Sequence, residues 1–423
     1  MSSVIEIHPL TRVEGHGMIQ LVYEGGRVAR VELVLTESPR LFEALLKGKS
    51  FVEIPDIICR ICSLCSTIHR VTALHAVENA LGIEVSQVTR LTRELMAHAG
   101  QIQSHALHLY FLVLPDLLGV TGLTGLAKAA PETLRAGLAI KQAANLVQET
   151  AGGRLIHPIN LALGRLGRPL ARGELSRLKD ALEEIVPECA QAVQLFAFPP
   201  PFPRLTRPDY LAARPDATWY SGSLLHGTEG AVVPVTDYRS RIVEEVVPET
   251  FAKRSLVSGK VMTVGALARV NLGTMLSPRA AEALRALEPS IVGCDIWGNV
   301  PAQVVEMIHS VDAALDIVER LWETGPQQEE PPALKPRAGA GSAACEAPRG
   351  TLIHSFAFDA DGRCTAADVI TPTALNHAAL ARDLSDLTRQ MPDADKGELT
   401  AALQRLVRAY DPCISCAVHV IEC

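Results

Sequence analysis

Aromatic side chains are scarce in this chain: phenylalanine, tyrosine and tryptophan make up 4% of 423 residues, although 48% are hydrophobic. A core that is largely aliphatic favours extensive helix packing, and the positive mean hydropathy points to a large interface with a partner rather than a free monomer. Excess positive charge is also absent. Formal net charge is −7 and no long basic run occurs, which removes the electrostatic basis for binding nucleic acid. There is no uninterrupted apolar run fit for a membrane span. The most apolar stretch, 106–130, is broken by His108, Pro115, Asp116 and Lys128 and reads as a packed helix followed by a loop. No signal segment opens the sequence, Met1 leading straight into a strand-like run. A cytoplasmic location is therefore expected, with export on a signal-bearing partner left open.

Cysteine, by contrast, occurs ten times, and without a signal segment that number argues for metal chemistry in a reducing compartment over a disulfide framework. Four of the ten form two CxxC pairs, Cys62/Cys65 and Cys413/Cys416, each followed closely by a histidine, His69 and His419. The commonest use of two such pairs is a structural zinc site. Zinc sites of that kind usually close a short loop, whereas here 348 positions separate Cys65 from Cys413. The remaining cysteines, Cys59, Cys189, Cys294, Cys345, Cys364 and Cys423, are isolated and read as small buried apolar residues or bystanders, Cys59 being close to the first pair but off its motif. No second set of four thiols is left to hold iron-sulfur clusters, so electrons from any redox chemistry must leave through another chain.

Apolar and polar residues alternate over Val4–Ile7, Met18–Val22 and Val28–Leu35 around Gly25 and Gly26, which predicts hairpin-linked strands. Glu14 then lies in a connection, where tertiary contacts must position it. From Ser86, apolar residues at Val88, Leu91, Leu95, Ala99, Ile102, Ala106, Leu109 and Val113 have the three-and-four spacing of a long helix. Its His98, His105 and His108 are distant from both thiolate motifs and read as packed or hydrogen-bonded. Further helices are expected over 132–150, 174–185, 278–287 and 302–321, with strand-like and irregular segments from Trp219 to Asn271. A proline-rich loop spans 199–203, and the stretch rich in Pro, Gly and Ala over 325–344 looks like a domain linker.

An ordered set of motifs accompanies the cysteine pairs: Arg12-Val-Glu14-Gly-His16, Gly152-Gly-Arg-Leu-Ile-His157-Pro158, Gly265-Ala-Leu-Ala-Arg269-Val-Asn271, Glu346-Ala-Pro348-Arg349-Gly350 and Pro372-Thr373. Over essentially its full length the chain resembles the large, catalytic subunit of nickel-iron hydrogenases, most of all the cytoplasmic, soluble multimeric branch that includes sulfhydrogenases and NAD(P)-linked or deazaflavin-linked enzymes. The resemblance implies a mainly α fold with small peripheral β-sheets (α+β), built on a long-helix bundle, with 1–423 as a single catalytic domain. It turns 325–344 into a surface loop, because Arg349 must return to the metal. It also implies reversible heterolytic cleavage of H2, with electrons passing to an iron-sulfur small subunit and on to a soluble carrier such as NAD(P). Carrier-reducing, diaphorase-like subunits and maturation factors are the further partners implied.

Thiolates are soft ligands that suit nickel, iron or zinc. The resemblance implies that all four cysteines bind nickel, Cys62 and Cys413 terminally and Cys65 and Cys416 as bridges to an iron carrying one carbon monoxide and two cyanides. With both metals divalent, four thiolates and two cyanides leave two negative charges that are costly to bury unpaired. Arg349 matches the family arginine that overhangs the metals and contacts a cyanide. Pro348, Pro372 and Thr373 match the pocket for the diatomic ligands, and Asp411 lines the canopy above it. Glu14 matches the carboxylate that takes a proton from the thiolate of Cys413, a task that suits a buried glutamate with a raised pKa. Glu43, the backbone carbonyl near Val369, and His419 resemble the ligands of a second, hard-cation site holding magnesium or iron.

Two positions depart from the wider family pattern. Ser63 stands where many relatives have glycine, and Ser104 where respiratory members place an aspartate, which marks a subgroup rather than lost activity. Only four residues follow His419, where many precursors carry a longer removable tail, so processing is either unnecessary here or unusual in form. Other readings are a hydrogen sensor using the same centre, a non-catalytic relative like the quinone-site subunit of respiratory complex I, and a structural zinc protein. Retention of all four cysteines argues against the complex I-like reading.

Overall fold

In the computed structural model, which describes residues 2–25, 27–37, 41–197, 202–216, 218–228, 230, 232–247 and 250–417, the amino-terminal alternation forms a three-stranded antiparallel sheet. Its strands are β1 (Ser2–Ile7), β2 (Gly17–Glu24) and β3 (Arg27–Leu35). Ile19, Leu21, Leu33 and Leu35 share one buried face, as period-two alternation requires.

Helix α1 (Ser66–Leu81) begins directly after Cys65 and ends at Gly82, whose φ of 61° reverses the chain. Almost every α1 side chain is buried, so its polar residues need partners. Both Glu78 oxygens accept from Arg93 at 2.7 Å, and Arg70 donates to the Leu161 carbonyl at 2.7 Å and to Asp56. Helix α2 (Gln87–Ala106) starts where its pattern predicts, with Ser86 Oγ accepting from Thr89 N–H at 3.0 Å. It packs against α1, α3 (Pro131–Gly152) and α4 (Asn299–Thr324), and these helices form the bundle. His98 and His105 of α2, and His108 just beyond its end, sit inside the bundle. His105 contacts Glu306 at 3.1 Å, His108 contacts Gln303 at 2.5 Å, and the His98 and Trp219 rings lie 5.4 Å apart.

Two segments differ from the sequence reading. The apolar stretch 106–130 widens into π-helical turns over Leu107–Val113, and the expected loop is instead a helix, Gly122–Ala129, bent by 76° from its predecessor. Gly119 and Gly122, both at positive φ, make that bend. Among the described residues, no single helix is long and apolar enough to cross a membrane. The loop expected to run to 344 stops at 338, and Gly339–Ala347 forms strand β4. Its small residues are there for contact rather than flexibility. A Cβ on Gly339 would lie 2.3 Å from the Ala80 carbonyl oxygen, and one on Gly341 2.4 Å from that of Ala76, so the strand rests directly on the backbone of α1.

Strand β4 pairs with β5 (Gly350–Phe358), which pairs with β6 (Cys364–Ile370), all antiparallel. Helices α5 (Pro372–Gln390) and α6 (Lys396–Ala409) follow and return the chain to the amino-terminal sheet. The result is the expected mainly helical fold with small sheets.

Candidate metal centre

Cys62 ends a 3-10 turn in extended conformation, and Cys65 is the residue before α1, so the first pair is set by the start of a rigid helix. The second pair follows α6 in a short segment that takes its geometry from elsewhere. Cys413 N–H donates to Thr373 Oγ1 at 2.9 Å, Ile414 N–H to the Glu14 carbonyl at 3.1 Å, and Ser415 N–H to the Glu14 carboxylate at 3.1 Å. Ser415 Oγ also donates to the Glu37 carboxylate. The Arg12–His16 motif is thereby explained. Gly15, at φ 85°, passes so close to the second pair that a Cβ would sit 2.6 Å from Ile414 Cβ. Arg12 and Arg408 both pair with Asp116, tying the segment to the end of the long helix.

All four sulfurs are buried and lie within 4.8 Å of one another. Cys413 Sγ is 3.4 Å from Cys62 Sγ, 3.9 Å from Cys65 Sγ and 2.8 Å from Cys416 Sγ. Tetrahedral thiolates around one ion at about 2.3 Å would be about 3.8 Å apart. Of the three separations, that to Cys65 matches this value, that to Cys62 is slightly shorter and that to Cys416 about 1 Å shorter, so the sulfurs form a contracted cage with the donor chemistry for a soft divalent metal. Hydrogen bonds from Cys413 and Cys416, with Arg349 nearby, draw the Cys65 pKa well below that of an ordinary thiol. Burial, reinforced by the neighbouring sulfurs, pushes Cys413 well above it. Four sulfurs packed this way hold protons among themselves until a cation displaces them.

Arg349 caps the cage. Its Nη1 donates to Cys65 Sγ at 3.6 Å, its Nε to the Asp411 carbonyl at 2.8 Å and its Nη2 to Asp411 Oδ1 at 3.1 Å. Burial opposes its charge, but Asp411 and the sulfurs outweigh burial and hold its pKa above the usual value. Gln303 on α4 donates to the other Asp411 oxygen at 3.2 Å. Glu14 lies beside Cys413 across an isolated backbone bridge. Burial, and then the charge of Cys62, raise its pKa, with Ser415 and Arg349 opposing. Pro372 and Thr373 open α5 next to Cys413, and Pro348 immediately precedes Arg349. On the far side His69 reaches Cys416 Sγ at 3.6 Å and stacks on His354.

Most of the residues singled out in the sequence thus converge. The hard-cation set behaves differently. Glu43 and Val369 do meet, but through the Val369 N–H, which donates to Glu43 at 2.9 Å. Glu43 also accepts from Lys253 Nζ at 3.0 and 3.2 Å, and Lys253 contacts Glu244 at 3.1 Å, so an ammonium already serves this carboxylate. His419 lies outside the described residues, as do Cys423 and most of the proline-rich loop. Sequence reasoning gave no role to Thr373 as a holder of Cys413, nor to Gln303, Glu37, His354 or Lys253. Each acts through a partner distant in sequence. Arg269 was visible inside its motif but had no assigned task.

Residues 40–150 and 209–419 match the nickel-dependent hydrogenase family, and residues 4–37 match a HoxL-like family. The chain is 34% identical over 425 residues to sulfhydrogenase 1 subunit alpha of Pyrococcus furiosus, covering 99% of this chain and 98% of that one. It is 32% identical to sulfhydrogenase 2 subunit alpha of the same organism, over 99% and 100%. Among solved structures, an NAD+-reducing [NiFe]-hydrogenase in the H2-reduced state superposes with a TM-score of 0.88 at 27% identity, covering 99% of each chain. The Ni-Fe-Se hydrogenase of D. vulgaris Hildenborough shares the fold, with a TM-score of 0.78 at 22% identity.

Proposed function

The chain belongs to the nickel-dependent hydrogenase family as a catalytic subunit acting on H2, and from that premise we propose which of its residues do the work. Cys62, Cys65, Cys413 and Cys416 would hold nickel, and Cys65 and Cys416 would also hold an iron carrying one carbon monoxide and two cyanides. When bound, these metals supply the site at which H2 is polarised and its electrons are taken up. Arg349 offsets the buried negative charge from above. Thr373 fixes the backbone of Cys413, and Pro348, Pro372 and Asp411 shape the dry pocket around the diatomic ligands. Glu14 accepts the proton released at Cys413 and passes it outward. Its raised pKa and its place against the second cysteine pair support that role.

Residues 1–423 act as one catalytic domain, since both cysteine pairs complete the same cage. Among the described residues no other cluster of metal-ligating side chains exists, which supports an iron-sulfur small subunit as the route for electrons. A carrier-reducing module delivering them to NAD(P), maturation factors and a cytoplasmic location complete the reading, in keeping with the NAD+-reducing enzyme that shares this fold. A magnesium or iron ion beside Glu43, Val369 and His419 belongs to it too. Glu43, Glu244 and Asp368 carry three negative charges against the two of Lys253 and Arg239, so a divalent cation there would meet a net attraction.

One observation carries the assignment: four thiols from opposite ends of the chain form a buried cage beneath Arg349 and beside Glu14. An infrared spectrum of the protein purified with its native partner tests it. Carbon monoxide and cyanide stretches are expected, and their absence from a metal-replete, fully matured preparation would remove the nickel-iron centre from the proposal.

A further inference from the structure

Arg269, in the Gly265–Asn271 motif that the mechanism leaves unused, is fully buried, and all five of its N–H donors are engaged. Nε and Nη2 grip the two oxygens of Glu306 at 2.5 and 2.6 Å. Nη1 donates to Glu346 Oε2 at 2.6 Å and to the Ala347 carbonyl at 3.0 Å, while the remaining Nη2 hydrogen reaches the Pro348 carbonyl at 3.2 Å. The last two acceptors are the backbone groups immediately before Arg349. Both carboxylates are themselves fixed. Glu346 Oε1 accepts from Ala213 N–H at 2.7 Å and Thr351 Oγ1 at 2.8 Å, and Glu306 Oε2 accepts from His105 Nε2 at 3.1 Å. Burial opposes the Glu306 charge, yet Arg269 and His105 bring its pKa down to about 2, so the grip is ionic at any physiological pH. Gln101 on α2 donates to the Glu346 carbonyl at 3.0 Å, closing the frame from the helix side.

We propose that Arg269 is a positioning residue for Arg349: its planar fork clamps the Ala347–Pro348 backbone between Glu306 and Glu346, and so sets the height and direction of the Arg349 guanidinium above the four-cysteine cage. A lysine has three donors from one point and cannot reach two carboxylates and two carbonyls together. A displacement of about 1 Å at a catalytic group is enough to lower turnover about a hundredfold. This inference rests on the hydrogenase reading for its catalytic consequence, but not for its structural one.

The test compares wild type with Arg269→Lys, which retains the charge, and Arg269→Gln paired with Glu306→Gln, which retains the local charge balance if the single variant is poorly folded. The expected result for a folded variant is wild-type nickel content, a kcat for H2 oxidation lowered at least about tenfold with KM for H2 little changed, and displaced cyanide stretching bands. Amide hydrogen exchange over 346–350 should be faster in the same variant. A lowered melting temperature with unchanged kcat per nickel, unchanged bands and unchanged exchange over 346–350 would overturn the proposal, because it would reduce Arg269 to general support of the core. If wild type itself shows no carbon monoxide or cyanide bands, the hydrogenase reading fails. The exchange comparison, made on metal-free protein, then still decides whether the clamp exists.

Discussion

The two cysteine pairs contribute equally to one cage but are held in opposite ways. Cys62 and Cys65 are products of local structure, a short turn running into α1, whose buried length anchors them to the core. Cys413 and Cys416 sit in a segment with only four helical residues, Ile414–Ala417, whose hydrogen bonds run to Thr373, Glu14 and Glu37. One half of the site is therefore rigid before any metal arrives, while the other is assembled from three separate parts of the chain.

Replacing a ligand from either half, Cys62→Ser or Cys413→Ser, should have the largest effect. Nickel content and H2 turnover are both expected to fall by more than about 100-fold, since the loss exceeds that of an outer partner, about 10–100-fold. Metal analysis with H2-dependent dye reduction measures both. Glu14→Gln should separate chemistry from assembly. Its amide oxygen can still accept from Ser415 N–H, so nickel content should be retained, while exchange between D2 and solvent protons drops roughly 100-fold or more. Retained exchange would remove Glu14 from the proton path.

Removing the metal should expose the asymmetry directly. Amides over 411–417 are expected to exchange at least about tenfold faster in metal-free protein, while those of α1 remain protected, because local opening follows the elements with the least support of their own. Thr373→Val is a smaller version of the same experiment. It leaves the buried Cys413 N–H without its acceptor, at about 1–3 kcal/mol, so nickel should be retained less well against a chelator, and Thr373→Ser should restore it.

The smallest effect belongs to the rigid half. His75 on α1 is pushed down to about 4, by burial first and then by Arg93, and burial takes His98 on α2 down to about 3. Both folded values lie below the unfolded value of about 6.5. The unfolded chain thus binds more protons, and the stability present above about pH 6.5 is lost as pH falls towards 4, by up to about 1.4 kcal/mol per pH unit for each group. His75→Leu should flatten the fall in melting temperature between pH 6.5 and 4.5. An unchanged slope would show that other groups govern acid unfolding.

The same asymmetry governs what could be read in the sequence. Helix α2 announced itself through its periodicity and its Ser86 cap, and the hairpin strands through alternation, because both signals are local. The cage was legible through paired cysteines and the motifs around them. Strand β4 was misread because Gly339 and Gly341 look like flexible linker residues unless α1 is known to lie against them. The helix Gly122–Ala129 was missed because its few buried residues leave little pattern. Gln303, Lys253 and the hold of Thr373 on Cys413 were out of reach for a stronger reason. Gln303 and Lys253 matter through partners more than a hundred residues away, and the Thr373–Cys413 bond crosses 40 positions between two elements.

The separation between the pairs also orders events during synthesis. At about 5–20 residues added per second, roughly 20–70 s pass between the appearance of Cys65 and that of Cys413, 348 positions later. For that interval the nascent chain carries half a site, two thiols that can neither close a cage nor hold nickel in its final geometry. They must be kept from oxidation and from scavenging other soft metals until their counterparts are made. Metal loading is thus a late step by construction, and the wait for it falls on the amino-terminal pair, whose helix α1 gains its packing partner β4 only shortly before Cys413 is made.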